Sequence, residues 1–184
     1  MVCGLYRQMV GEMTEIQVRM ARDENDIEAA RTLCEEWLDW HWKNYPPDWP
    51  TGADHPMDPE KFRATLHDLP ELHKRPLGGI LVAFVNGNPA GCVMYRQAGP
   101  GVAEFKRMFV SVAGRGNGLG RKLLDGMFEQ MVADGYESVF FSSATFLTHA
   151  RTMYENAGFV GMPHPQDFPD AWRDKVYFME RVLV

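Results

Sequence analysis

The chain of 184 residues and 21.0 kDa has the size of one ordinary domain, long enough to bury roughly two-thirds of the surface its unfolded form exposes. With 45% apolar and 24% charged residues it is composed as globular proteins are, which excludes a disordered or fibrous chain. A net charge of -6 without any cluster of Lys and Arg argues against nucleic acid as a partner.

Cys3, Cys34 and Cys92 form no C-x-x-C pair and no zinc-like spacing, so a reducing compartment and no metal are expected. The first residues carry no apolar core of signal-peptide length, and nowhere do about 18 apolar residues run together. These features predict a cytoplasmic protein with no membrane partner. Residues 1–13 read as a loosely ordered leader and 14–184 as one domain.

In chain order, EIQVRM from Glu15 to Met20 alternates as a half-buried strand. A helix follows, with Ile27, Ala30, Leu33, Trp37 and Trp40 on one face and Asp23 or Asn25 as its cap. Between Asp23 and Glu60 eleven acidic residues stand against Arg31 and Lys43 alone, so a solvated acidic face is expected, and beside it a preference for a cationic acceptor. Five prolines between Tyr45 and Pro59 predict a loop long enough to wall a pocket. A short helix is expected from Pro59 to Leu66.

GILVAFV and NPAGCVMY flank Asn86-Gly87, the pair that supplies the positive backbone angles of a tight hairpin turn. EFKRMFVSV then predicts a third antiparallel strand. From Leu119 to Val132 apolar residues keep one helical face until Gly135, and YESVFFSSA reads as a buried strand, so this crossover turns the sheet parallel. HARTMYENAGF is a short helix stopped by Gly158, and VYFMERVLV is a closing strand.

The most informative stretch is AGRGNGLG, Ala113 to Gly120, between a strand and that amphipathic helix. Its glycines permit a tight turn that brings amides close to a ligand, with the positive end of a helix behind them, as a pyrophosphate requires. No Lys followed by Ser or Thr makes a Walker loop here, and Leu119 and Arg121 break the dinucleotide fingerprint. The remaining alternative is a glycine-rich turn that only permits tight packing.

EFKRMFVSVAGRGNGLGRKLL, Glu104 to Leu124, resembles the acyl-coenzyme A motif R/Q-x-x-G-x-G/A of the GCN5-related N-acetyltransferases, with Arg115, Gly118 and Gly120 in its fixed places. MYENAGF, Met153 to Phe159, is similar to the family's helix-ending second signature. The resemblance extends over about Glu15 to Val184 and implies an α/β (α+β) fold, with a central mixed, mostly antiparallel sheet of about six to seven strands flanked by helices on both faces. It further implies acetyl-CoA as donor and direct attack in a ternary complex, while the Pro-rich loop and the aromatic-rich first helix suggest a narrow pocket and so a small-molecule amine as acceptor. A silent acyl-CoA-binding module and a peptide or protein acetyltransferase are the alternatives. Frequent dimerisation among members allows a homodimer.

By the same resemblance Arg115, Gly116, Asn117, Gly118, Leu119 and Gly120 would hold the pyrophosphate, with Arg121 meeting phosphate charge or standing as a solvated helix residue. Phe109 and Val110 would pair with the pantetheine arm, and an amide near Val110 would bind the oxyanion. Glu104 would be the general base, against an ion pair with Lys106 or Arg107 as the plainer reading. Tyr154 would protonate the leaving thiolate, against a packing role. Leu147 stands where many members carry an Asn that helps to hold the cofactor. Cys92 reads as a small buried strand residue, and Trp37, Trp40, Trp42 and Trp49 as core and pocket lining.

Overall fold

The computed structural model describes residues 14–51, 55 and 57–184; the expected leader lies outside the described residues. A seven-stranded sheet has the order β1-β2-β3-β4-β5-β7-β6. Its strands are β1 (Ile16–Met20), β2 (Gly78–Val85), β3 (Asn88–Gly99), β4 (Val102–Val110), β5 (Ser138–Ala144), β6 (Val160–Met162) and β7 (Val176–Val182). The helices are α1 (Glu24–Lys43), α2 (Pro59–His67), the four-residue α3 (Leu69–Leu72), α4 (Leu119–Ala133) and α5 (Thr148–Asn156). Pairing is antiparallel throughout except between β4 and β5.

The local signals act as expected. Asn86 and Gly87 have φ of 49° and 79°, the two positive angles of a primed turn, and they join β2 to β3. Asp23 caps α1 by accepting from the Asp26 amide at 3.0 Å. β4 begins and ends two residues before the expected 104–112. The Ser111 amide donates to Ala90 O at 2.9 Å, and the chain then tightens into a 3-10 turn, Val112–Gly114.

Both faces of the sheet are covered, and the strands show why. Along β2, Ile80 and Val82 enter one core and Leu81 and Ala83 the other; along β3, Cys92 and Met94 oppose Val93 and Tyr95. Such strands are apolar at every position rather than at alternate ones. The first core is closed by Ala30, Leu33 and Leu38 of α1 with Phe62 and Leu66 of α2. The second is closed by Leu123, Leu124, Met127 and Met131 of α4 with Tyr154 of α5. Leu124 is fully buried there, so truncation to Ala is worth about 2–5 kcal/mol.

Candidate active site

The parallel ladder between β4 and β5 is short: Val102, Ala103 and Glu104 pair with Ser138, Val139 and Phe140, and then the strands part. β5 stays paired with β7 up to Ala144, and β4 stays paired with β3 up to Val110, so a cleft opens between two intact half-sheets. A cavity of about 1230 Å³ occupies it, bounded by Phe105 to Val110 on one side and Phe141 to Ser143 on the other. One edge of β4 is thereby left without a neighbouring strand. The Ser111 amide points to β3, so by alternation the Val110 amide points into the cleft, where an oxyanion or an extended ligand can take it.

The glycine loop closes one end of this cleft. Gly116 and Gly118 have φ of 77° and 67°, a left-handed backbone that a side chain would strain. Gly120 and Gly114 serve differently: a Cβ would lie 2.6 Å from Met153 Sδ or from Ala90 O respectively. Gly118 stands at the N-cap of α4 without a side-chain cap, so the first-turn amides of Leu119, Gly120 and Arg121 face outward without an acceptor among the described residues. This is a fit for a pyrophosphate. The Arg115 amide differs from expectation, because it donates to Val112 O at 3.3 Å and closes the 3-10 turn. Asn117 Nδ2 braces the loop through the carbonyls of Gly114 and Arg115. Arg121 pairs with Asp125 at 2.8 Å and donates to Asn156 O, which ties α4 to α5.

Tyr154 lies in the last turn of α5, where its ring packs against Phe141 and Phe105 with centroids 4.4 and 5.5 Å away. Burial pushes its phenol well above the ordinary tyrosine value, so it stays protonated. It also borders the cavity, and among the described residues its hydroxyl has no hydrogen-bond partner. Glu104 borders the cavity too. Its Oε2 accepts from Arg96 at 2.9 Å and its Oε1 from Lys106 Nζ at 2.8 Å, so the expected ion pair with Lys106 is present. The alternative partner, Arg107, does not take part.

Arg107 is the residue that sequence reasoning passed over. Between Met94↔Lys106 and Cys92↔Phe109 the bulge gives β4 one extra residue, and Arg107 adopts φ 52° there. Its Nη2 donates to Thr65 Oγ1 of α2 at 3.0 Å, its Nη1 faces His73 Nε2 at 3.4 Å, and its Nε is buried without a partner. Burial lowers its pKa from the ordinary arginine value. The strand pattern gave no sign of a bulge, and the ion pair expected of Glu104 is made with Lys106, which leaves Arg107 to the contacts above.

The acidity of α1 does not reach the cavity. Glu24 and Glu28 pair with Arg31, Glu35 and Asp39 with Arg63, and Asp26 with Arg19. Among the described residues the cavity is lined by Lys61, Lys106, Arg107, Arg115 and Arg121 against the single carboxylate of Glu104, which reverses the sign that the composition of the segment suggested. Trp37, Trp40, Phe62 and Phe146 supply its apolar wall. Trp42, Tyr45, Trp49 and His55 interlock with Phe146 and His41, which holds the proline-rich loop in place. Cys92 is fully buried on β3, as expected, and Leu147 precedes α5 at the cavity wall without capping it. No metal-binding group of His, Cys, Asp and Glu occurs among the described residues.

The sequence matches the model of the acetyltransferase (GNAT) family over residues 34–159. No curated protein matches it. Among solved structures, a GNAT-family acetyltransferase from Staphylococcus aureus Mu50 superposes with a TM-score of 0.70 at 19% identity, covering 92% of this chain and 100% of the other. The PaiA N-acetyltransferase of Thermoplasma acidophilum, solved in complex with coenzyme A, gives 0.67 at 13% identity over 91% and 99% of the two chains. The ribosomal-protein-S18-alanine N-acetyltransferase of Escherichia coli gives 0.63 at 14% identity over 92% and 94%. Acyl transfer from acyl-coenzyme A is the general chemistry of this family, and its donor is acetyl-CoA. With the glycine loop, the parted strands and the family match in agreement, the chain belongs to the acetyltransferase (GNAT) family.

Proposed function

We propose that the protein transfers an acetyl group from acetyl-CoA to the amine of a small molecule by direct attack. The observation that carries this reading is the cleft between β4 and β5, which ends on the outward-facing amides of Leu119, Gly120 and Arg121. These amides and the start of α4 receive the pyrophosphate, and the unpaired edge of β4 receives the pantetheine arm. The amine lone pair attacks the thioester carbon, the carbonyl oxygen gains charge opposite the Val110 amide, and the carbon–sulfur bond then breaks. The amine proton leaves through water to Glu104, which is already engaged by Lys106 and Arg96. Tyr154, kept protonated by burial, faces the departing thiolate and supplies its proton.

Phe62, Trp37, Trp40 and Phe146 make a walled pocket, which suits a small acceptor better than an extended chain. Protein N-termini are the second acceptor class, favoured by the likeness to the S18-alanine enzyme. Thiol release from acetyl-CoA, followed across small amines and short peptides, tests both. Coenzyme A binding without thiol release from any amine would make the chain a silent binding module.

A further inference from the structure

Arg107 presents a problem in electrostatics that the acyl-transfer chemistry does not solve. It lines the cavity, three residues before the Val110 amide on the same strand. Its contacts are the Thr65 hydroxyl, the His73 ring and the Phe62 face at 5.5 Å. His73 is neutral: burial pushes it down to about 4, its Nδ1 lies 2.9 Å from Tyr95 O and so carries the hydrogen, and its Nε2 is left as the acceptor facing Arg107. Among the described residues no carboxylate pairs with Arg107, since Glu104 is taken by Arg96 and Lys106. A half-buried guanidinium whose direct contacts are all neutral, with Arg96 near it and Glu104 shared with other cations, gains from an anion that joins it.

The fold also invests in this placement. An arginine at φ 52° is in the left-handed region, where an L side chain is unfavourable, and the bulge that imposes it turns the side chain under α2. Thr65 and His73 take two of the five guanidinium hydrogens, and the Nε hydrogen has no acceptor. The guanidinium is therefore held in place by neutral partners, with donors and charge remaining at the cavity wall.

We propose that Arg107 anchors a carboxylate of the acceptor, so that the substrate is an amine that also bears a carboxylate, of the amino-acid class. This deepens the acyl-transfer reading and rests on it. Anchored at Arg107, the carboxylate fixes the other end of the acceptor, and the amine extends along β4 toward the Val110 amide. A diamine would add a second cation beside Arg107 and Lys106.

The test pairs acids with their amides. Thiol release from acetyl-CoA is measured with α-, β-, γ- and ε-amino acids, with the carboxamide of each, and with putrescine and spermidine. Aminoalkyl phosphonates separate carboxylate recognition from general anion recognition. The expected result is at least a tenfold preference in kcat/KM for an acid over its own carboxamide, about the value of one charge-assisted hydrogen bond, carried mainly by KM. In Arg107→Gln the ratio of acid to amide collapses toward one. Arg107→Lys, which keeps the charge and loses the fork, retains part of the preference. The comparison in the unaltered protein needs no variant, so a failure of Arg107→Gln to fold does not remove the test. Turnover of diamines, peptides or carboxamides as good as that of the acids, or a preference for phosphonates, overturns the carboxylate anchor and leaves acyl transfer standing. Absence of thiol release from every amine overturns both.

Discussion

In the proposed reading the working groups at one end of the cleft are the backbone amides of Leu119, Gly120 and Arg121. At the other they are side chains, Glu104, Lys106 and Arg107, delivered by β4 and covered by α1 and α2. The first end is built from one contiguous segment whose shape follows from two left-handed glycines and a helix start. The second is assembled from residues far apart in the chain; Arg107 meets Thr65 across 42 positions. A site made of amides is indifferent to most side chains and takes the invariant part of a substrate. A site made of placed side chains sets which acceptor is taken.

The sharpest way to break this division is at the residue between the two ends. Tyr154→Phe keeps the ring and its stacking on Phe141, and removes only the hydroxyl. Turnover is expected to fall by about 10² or more with coenzyme A affinity unchanged, the usual scale for a lost proton donor. Nearly full turnover, measured where chemistry limits the rate, would make Tyr154 a packing residue. The donor end alone is addressed by Gly118→Val. Nothing lies within 4 Å of the added Cβ, so any effect comes from φ 67° and from the bulk offered to the phosphates. About 2 kcal/mol of left-handed strain, relaxed in the free variant loop and restored on binding, corresponds to a loss of about 30-fold in coenzyme A affinity by titration calorimetry. Unchanged affinity in the folded variant would place the phosphates elsewhere.

The donor end was legible in the sequence because its determinants are local. The spacing of Arg115, Gly118 and Gly120 states both the turn and the helix that follows, and Asn86-Gly87 states a hairpin in the same way. The two-faced burial of β2 and β3 emerged only with the structure, which sets Ile80 and Val82 against one core and Leu81 and Ala83 against the other. The acceptor end was not legible. A bulge has no residue signature when arginine occupies its left-handed position, and the register slip at Arg107 appears only once β3 and β4 are paired. The acidic count of α1 misled for a related reason, since it could not reveal that Arg19 and Arg63, outside the counted segment, lie against it.

Glu104→Gln sharpens the comparison from the acceptor side. The carboxylate sits between two cations, and under the proposed role as a base acting through water its removal is expected to lower kcat/KM by about tenfold, less than for a directly acting base. A drop of similar size in coenzyme A affinity would instead show that freeing Lys106 and Arg96 disturbed β4.

The smallest effect concerns the wall of the acceptor end and is read in stability. His41 is buried among Trp37, Trp42, Tyr45 and Phe146, and neither ring nitrogen has a hydrogen-bond partner. Burial, with a smaller contribution from His55, pushes its pKa down from 6.5 to about 4. The unfolded chain thus binds a proton at a pH where the folded chain does not. The stability associated with a neutral His41 is complete above about pH 6.5 and is lost as pH falls from there through 4. At pH 5 the loss is about 2 kcal/mol, or roughly 4–8 °C in Tm for a chain of this length. His41→Phe keeps an aromatic ring and cannot titrate, so its melting temperature should match that of the unaltered protein near pH 7.5 and exceed it at pH 5. His73 is also held near 4 and titrates in both proteins, so the difference between the two curves isolates His41. Parallel curves from pH 7.5 to 5 would show that the aromatic wall tolerates a charged imidazole, and that the acceptor end is more open to water than its packing indicates.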